Sequence, residues 1–403
     1  MEFRENEELR LAGEFVQFTN KNIFLTGKAG TGKTTFLHNL KLKTPKRLVV
    51  VAPTGVAAIN AGGVTIHSFF QLGFAPFIPE PFRNTDGNGG TEAEQRKFHR
   101  EKIRLIKCID LLVIDEISMV RSDVLDAVDE VLRRFRNPSQ PFGGVQLLMI
   151  GDLHQLSPVV KSAEWGLLRE FYSSAYFFDS HALKRSSFIT LELKENFRQS
   201  DAAFIHLLNK VRENEITRET IDALNARYIP GFQPQESEGY ITLTTHNNTA
   251  NEINQVKLKS IRNTPRLFKA KIQCHFPMHD LPTDEELELK TSAQVMFIKN
   301  DPEAAKRFYN GKIGKITRFG EDKVYVRCPG ENEDIEVERL IWENIKYDVN
   351  AETKEITEEV AGTFEQIPLR LAWAITIHKS QGLTFDKVVI DAAAAFAFGQ
   401  VYV

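Results

Sequence analysis

Gly27-Lys28-Ala29-Gly30-Thr31-Gly32-Lys33-Thr34 fits the pattern G-x-x-x-x-G-K-[ST] without a gap. The apolar run Ile23-Phe24-Leu25 precedes it, as a buried strand should. Thr35, Phe36, Leu37 and Leu40 follow at helical spacing. The motif therefore has its required context of strand, glycine loop and helix. The chemistry explains the spacing. Without Cβ atoms, Gly27, Gly30 and Gly32 let backbone N–H groups close on phosphate oxygens. The helix that opens near Gly32 points its positive end at the same anion. Lys33 is the residue that reaches β- and γ-phosphates, and Thr34 offers a hydroxyl to Mg²⁺. The nucleotide-side set is Gly27, Ala29, Gly30, Thr31, Gly32, Lys33, Thr34 and Thr35, with ATP and Mg²⁺ as the expected ligands. A glycine-rich turn that matches by chance is the bland alternative, and the strand before it argues against that.

At 403 residues the chain is too long for one core, so two or more domains are expected. A hydrophobic content of 42% is that of a soluble globular protein, and no apolar run is long enough to span a membrane. The start, MEFRENEELR, is acidic and polar, unlike a signal or transit peptide. Cys108, Cys274 and Cys328 lie far apart, which suits a reducing compartment better than a disulfide framework. With a net charge of −3, any nucleic-acid groove must come from local placement of Lys and Arg.

Further strands carry chemistry at their ends. Residues 1–22 read as a helix that covers a base, with Gln17 either bonded to that base or solvated. Leu48-Val49-Val50-Val51-Ala52 is a continuous apolar strand that ends at Thr54 and Gly55, placed to hold a phosphate of a bound strand. Thr65-Ile66-His67-Ser68-Phe69-Phe70 sets aromatics beside a histidine, for base stacking or for the core. Leu111-Leu112-Val113-Ile114 ends in Asp115 and Glu116. Paired acids after a buried strand need a cation, here Mg²⁺ on Asp115, while Glu116 polarises the attacking water. Val124, Val128, Val131, Leu132 and Phe135 repeat at helical spacing. Val145–Ile150 runs into Gly151-Asp152-Leu153-His154-Gln155, and Gln155 is placed to sense a γ-phosphate. Arg198 follows the strand around Leu191 as an arginine-finger candidate that crosses a domain cleft, or as an ion pair with Glu195.

The second half continues in α/β style, with strands at Tyr240–Thr245 and Ala293–Asn300. Thr245 and Asn247 stand at the end of the first. Short alternating strands from about 310 to 347 read as a small all-β insertion. Leu371–Ile377 leads to His378, Lys379 and Ser380, donors suited to a phosphate backbone, while Gln381 and Gly382 face the nucleotide. Cys274, His275 and His279 have ligand-like spacing, but no second cluster completes a metal site.

Taken together, GKAGTGKT, VAPTGVAA, TIHSFF, LLVIDEISM, PFGGVQLLMIGDLHQLSPV, LKENFRQ and ITIHKSQGLTFDKVVID resemble a superfamily-one DNA helicase, and within it the Pif-type (petite integration frequency) family of bacterial kind. The segment Ser122–Arg134 resembles that family's own signature helix, which separates it from RecD-like helicases. The resemblance implies α/β architecture: two RecA-like P-loop domains with parallel sheets, at 1–185 and 186–403, and ATP in the cleft between them. It also implies a wedge near 64–80 and a small barrel of Src-homology type around 305–365. Carried over by position, Lys33, Thr34, Asp115, Glu116, Gln155 and Arg198 form the hydrolysis site. Thr54, Gly55, His67, Phe69, Thr245, Asn247, His378, Lys379 and Ser380 then form the DNA side. The implied activity is 5′-to-3′ movement on single-stranded DNA with unwinding at duplex junctions. The family also acts on G-quadruplexes and RNA–DNA hybrids. A monomer without a membrane segment, cytoplasmic beside the nucleoid, is the matching expectation. In the family the final run continues into Ala-Leu-Ser-Arg, whereas this chain stops at Val403. That stop keeps one alternative open, an ATP-switched clamp; another P-loop phosphotransferase is a second alternative, which leaves His378–Thr384 unexplained.

Overall fold

The computed structural model describes residues 6–73, 75–79, 98–197, 201–235, 238–278, 281–303, 307–349, 353, 356–383, 385–391, 395 and 399–403. The chain forms two compact units, Met1–Ile205 with Ile345–Glu359, and His206–Asn344 with Val360–Val403.

The first unit is built on a six-stranded parallel sheet. Its strands are β1 (Asn22–Gly27), β2 (Leu48–Ala52), β3 (Val64–Thr65), β4 (Leu111–Ile114), β5 (Gln146–Gly151) and β6 (Phe188–Leu193). They lie in the order β3-β2-β4-β5-β1-β6. Their near-continuous apolar sequence follows from burial on both faces. Ile23, Leu25, Val50, Leu111, Val113, Leu148 and Ile150 pack into one core with Val16 and Leu37. The alternate residues Phe24, Val49, Val51, Leu112, Ile114, Leu147 and Met149 pack into the other. Each fully buried Leu, Ile, Val or Phe contributes about 1.5–3 kcal/mol, so these layers hold the sheet.

The sequence placed the strand before Arg198 in a second domain. The structure instead hydrogen-bonds β6 to β1 in parallel, from Asn22↔Phe188 to Gly27↔Leu193, so this strand completes the first sheet. Gly27 permits the close approach of the two strands: a Cβ added there would stand 2.8 Å from the Leu193 carbonyl oxygen.

The signature helix Ser122–Phe135 buries more than an apolar stripe. Asp123, Asp126 and Asp129 are buried beside Leu125, Val128 and Leu132. Asp126 accepts hydrogen bonds from Tyr172 Oη (2.9 Å), Ser180 Oγ (2.6 Å), His181 N (3.0 Å) and Ala182 N (2.8 Å). Asp129 accepts from Phe142 N, and Asp123 from Phe77 N at 2.9 Å. Three carboxylates thus fix three separate loops.

In the second unit β7 (Ile241–Thr244) lies between β18 (Ala374–Thr376) and β19 (Val388–Ile390), parallel to both. The helix Asn247–Ser260 is pinned by buried Asn254. Its amide donates to Ala374 O and accepts from the Trp373 and Ala374 amides.

Between β7 and β18 lie small antiparallel sheets. β8 (Arg266–Lys269) pairs with β10 (Glu286–Leu289), and β9 (Lys271–Cys274) with β16 (Ile356–Gln366), which neighbours β15 (Leu340–Val349). β11 (Gln294–Phe297), β12 (Ile313–Phe319), β13 (Val324–Arg327), β14 (Ile335–Val337) and β17 (Leu369–Leu371) make a five-stranded sheet in the order β14-β13-β12-β11-β17. Strand 294–297, read as part of an α/β sheet, is antiparallel to both its neighbours here. A short, fully apolar run fits either environment, so its sequence does not decide between them.

Candidate active site

In a parallel sheet every strand-to-helix turn emerges at the same edge, where open α/β sheets hold ligands. The turn after β1 is the glycine loop. Gly30 and Gly32 adopt φ of 80° and 88°, and Gly32 starts the helix Lys33–Lys43. Side chains rarely take such angles, whereas glycine takes them freely. Lys33 Nζ folds back on the loop and donates to Gly27 O (2.6 Å) and Lys28 O (2.9 Å). Thr31 Oγ1 donates to Lys28 O at 2.9 Å, while Thr34 and Thr35 are exposed on the first helical turn. The amine thus rests on carbonyl oxygens, and an incoming phosphate offers it a stronger, charged partner.

Asp115 and Glu116 follow β4 at the same edge. Burial pushes the Asp115 carboxyl up to about 6, against the pull of its bond from the Glu116 amide and of Lys33. Burial and then the neighbouring Asp115 raise Glu116 to about 7; Lys33 opposes this and Asp152 adds to it. Lys33, Asp115, Glu116 and Asp152 therefore share one electrostatic site. Glu116 also holds φ +51°, a left-handed conformation that a non-glycine residue adopts at a cost. Two carboxylates raised by burial, at the same sheet edge as the helix that carries Thr34, are hard oxygen donors of the kind that hold Mg²⁺. Gln155, after β5, is buried, and its backbone N–H donates to Asp152 O at 3.0 Å.

Two residues outside the expected set complete the loop's surroundings. Asn196 Nδ2 donates to Ala29 O at 2.9 Å, and the Phe197 amide donates to Gly30 O at 2.9 Å. The Phe197 ring is 54% exposed and passes 3.8 Å from where a Cβ on Gly32 would stand. It is an aromatic face open beside a phosphate loop. The motif LKENFRQ held both residues; the signal was their adjacency to Arg198. Arg198 itself lies outside the described residues. The strand Phe188–Leu193 that precedes it belongs to the sheet of the glycine loop.

Other expectations are revised. Gln17 is exposed near the end of the helix Glu7–Phe18, whereas Leu9 in its first turn is what approaches Gly32. Phe69 is 2% exposed, edge-on to Phe70 and Tyr347, and Lys102 Nζ sits 3.5 Å from its ring centre. It is a core residue without an open face for a base.

On the same edge, Thr54 caps the helix Gly55–Ala61 by accepting from Ala57 N at 3.2 Å. His67 is half-buried in the short helix Ile66–Phe70. Burial, then Arg121, hold its imidazole below the ordinary range, with Asp123 opposing.

The second unit has its own edge. Thr376 pairs with Thr244 in register, so the turns after β7 and β18 emerge together. Asn247 is exposed there, Lys379 keeps part of its surface open although its surroundings desolvate the amine, and His378 is half-buried. Burial lowers both His378 and Lys379, and Arg370 lowers Lys379 further while Asp284 opposes. Thr245 and Ser380 are buried and bonded inward, to His246 Nδ1 (2.7 Å) and Ile377 O (2.8 Å). Their hydroxyls serve the turns. Gln381 closes this turn and Gly382 takes φ +79°.

Comparison with known proteins agrees with this geometry. Residues 10–222 match the family described as PIF1-like helicase. The chain is 32% identical to an ATP-dependent DNA helicase PIF1 of Danio rerio, over 96% of this chain and 56% of that protein. It is 30% identical to an ATP-dependent DNA helicase Pif1 of Campylobacter jejuni, over 95% of this chain and 85% of that protein. The chain thus spans little more than half the length of its vertebrate relatives. A crystal structure of Bacteroides sp. Pif1 with ADP-AlF4 superposes with a TM-score of 0.89 at 40% identity, over 98% of this chain and 88% of that one. The Bacteroides protein is also known with ADP-AlF3 and single-stranded DNA, at a TM-score of 0.66 and 40% identity, over 98% of this chain and 88% of that one. With the phosphate loop, the paired acids and the signature helix in place, this chain belongs to the PIF1-like helicase family.

Proposed function

We propose that the chain is an ATP-driven DNA helicase that moves 5′ to 3′ along single-stranded DNA and separates the duplex at a junction. It acts as a monomer inside the cell, with ATP and Mg²⁺. The observation that carries this reading is the convergence of Lys33, Asp115 and Glu116 at one sheet edge, beside Thr54 and His67. A small-molecule kinase needs no such neighbours. The DNA-bound Bacteroides relative supports the same assignment.

Lys33 leaves the loop carbonyls to meet the β- and γ-phosphates. Thr34 and Asp115 hold the magnesium ion, which when bound draws charge from those phosphates. Glu116 takes the proton of the attacking water, Gln155 and Arg198 sense the γ-phosphate, and Phe197 covers the base. Thr54, Gly55 and His67 on one unit, and Asn247, His378 and Lys379 on the other, grip the DNA backbone. Nucleotide-dependent differences in grip give directed movement.

ATP hydrolysis measured with and without single-stranded DNA tests this. The expected result is strong stimulation by DNA and a loss of at least a hundredfold on Lys33→Ala, from removal of phosphate stabilisation. A rate indifferent to DNA would refute it.

A further inference from the structure

The helix that opens at the glycine loop ends near Lys41, about 12 Å beyond Lys33 by helical rise. Lys41 therefore cannot touch a nucleotide. Its side chain is nonetheless 19% exposed and bonded at both sides. Nζ donates to Gly62 O at 2.7 Å and pairs with Glu358 at 2.9 Å.

Gly62 ends the helix whose first turn is capped by Thr54. Two residues later β3 begins, and it runs directly into Thr65, Ile66 and His67. The turn has little room to slide, because a Cβ on Gly63 would stand 2.4 Å from the Val50 carbonyl oxygen. Glu358 lies in the segment Ile345–Glu359 of the same unit. That segment also buries Tyr347, which accepts from the Val50 amide at 3.2 Å and faces Phe69 at 6.0 Å between ring centres. The amine of Lys41 thus ties the glycine-loop helix to the element whose two ends carry Thr54 and His67.

We infer that Lys41 is a positioning residue that couples the nucleotide loop to the DNA-side turn of the first unit through Gly62 and Glu358. The inference rests on the motor reading for its purpose, while its geometry stands without it. A shift of the helix on nucleotide binding is passed to the turn at Gly62, and DNA held by Thr54 and His67 acts back on the loop. Coupling of this kind is reciprocal.

The test compares the whole chain with Lys41→Met, which keeps the stem, and Lys41→Arg, which keeps the charge. Amide hydrogen exchange is followed with and without a non-hydrolysable ATP analogue. In the unchanged chain the analogue should slow exchange both in the loop at 27–35 and in the turn at 62–70. Lys41→Met should keep the first effect and lose the second, and Lys41→Arg should restore it. Equal protection at 62–70 in Lys41→Met, or none in the unchanged chain, would overturn the inference. In parallel, stimulation of ATP hydrolysis by single-stranded DNA should fall about tenfold in Lys41→Met, with the DNA-free rate kept. A DNA-free rate that falls by the same factor would mark Lys41 as merely structural and overturn the coupling. If the unchanged chain ignores DNA, the motor reading fails, and the exchange comparison still decides on Lys41.

Discussion

Asp115 and Glu116 show how a residue pair carries its own test. Both carboxyls are raised, to about 6 and about 7, chiefly by burial. A raised acid binds its proton in the folded state where the unfolded chain has already released it. Stability without nucleotide therefore falls as pH climbs from the ordinary carboxylate range to about 7. Asp115→Asn removes one buried charge, so thermal unfolding at pH 8 should occur a few degrees higher than in the unchanged chain, with a flatter pH profile. An unchanged profile would mean the acids are not strained in this way.

Phe197 belongs to this scale as well. Phe197→Leu should raise the KM for ATP several-fold and leave kcat within about twofold, through loss of base stacking worth roughly 1 kcal/mol. Competition with a fluorescent nucleotide reads the same change directly. The positions of the loop, the acids and Gln155 at strand ends were legible because each follows an apolar strand at a fixed step. It misled at Phe69 because aromatic residues serve cores and ligands equally well, and only burial tells them apart.

At the scale of elements, the signature helix was legible as a helix and illegible as a hub. Its apolar spacing marks the core-facing stripe, but buried aspartates look like solvated ones until their partners are placed. Asp126→Ala leaves four donors without their acceptor in a closed interior, a loss of about 3 kcal/mol. Chemical denaturation should show that decrease, and a change below 0.5 kcal/mol on the same scale would contradict the assigned role. Strands were read well where they are long and apolar on both faces, as at 48–52 and 111–114. They were read poorly in pairing. Strand β6 joined the first sheet and 294–297 an antiparallel one, because register and partner depend on distant chain.

At the scale of the molecule, the candidate residues lie at two edges, one in each unit. Each edge is the carboxyl end of a parallel sheet, one with the glycine loop and Thr54, the other with Asn247 and His378. No helix among the described residues is long and apolar enough to cross a membrane. The alternation of strand and helix made this architecture readable, whereas direction of movement has no local signature and enters through family likeness.

The most direct measurement is therefore strand separation on short duplexes that carry a single-stranded tail at either the 5′ or the 3′ end, with ATP and Mg²⁺. The account predicts unwinding of the 5′-tailed duplex, little of the 3′-tailed one, and none with Glu116→Gln despite intact ATP and DNA binding. Equal unwinding from both tails, or unwinding that survives Glu116→Gln, would contradict it.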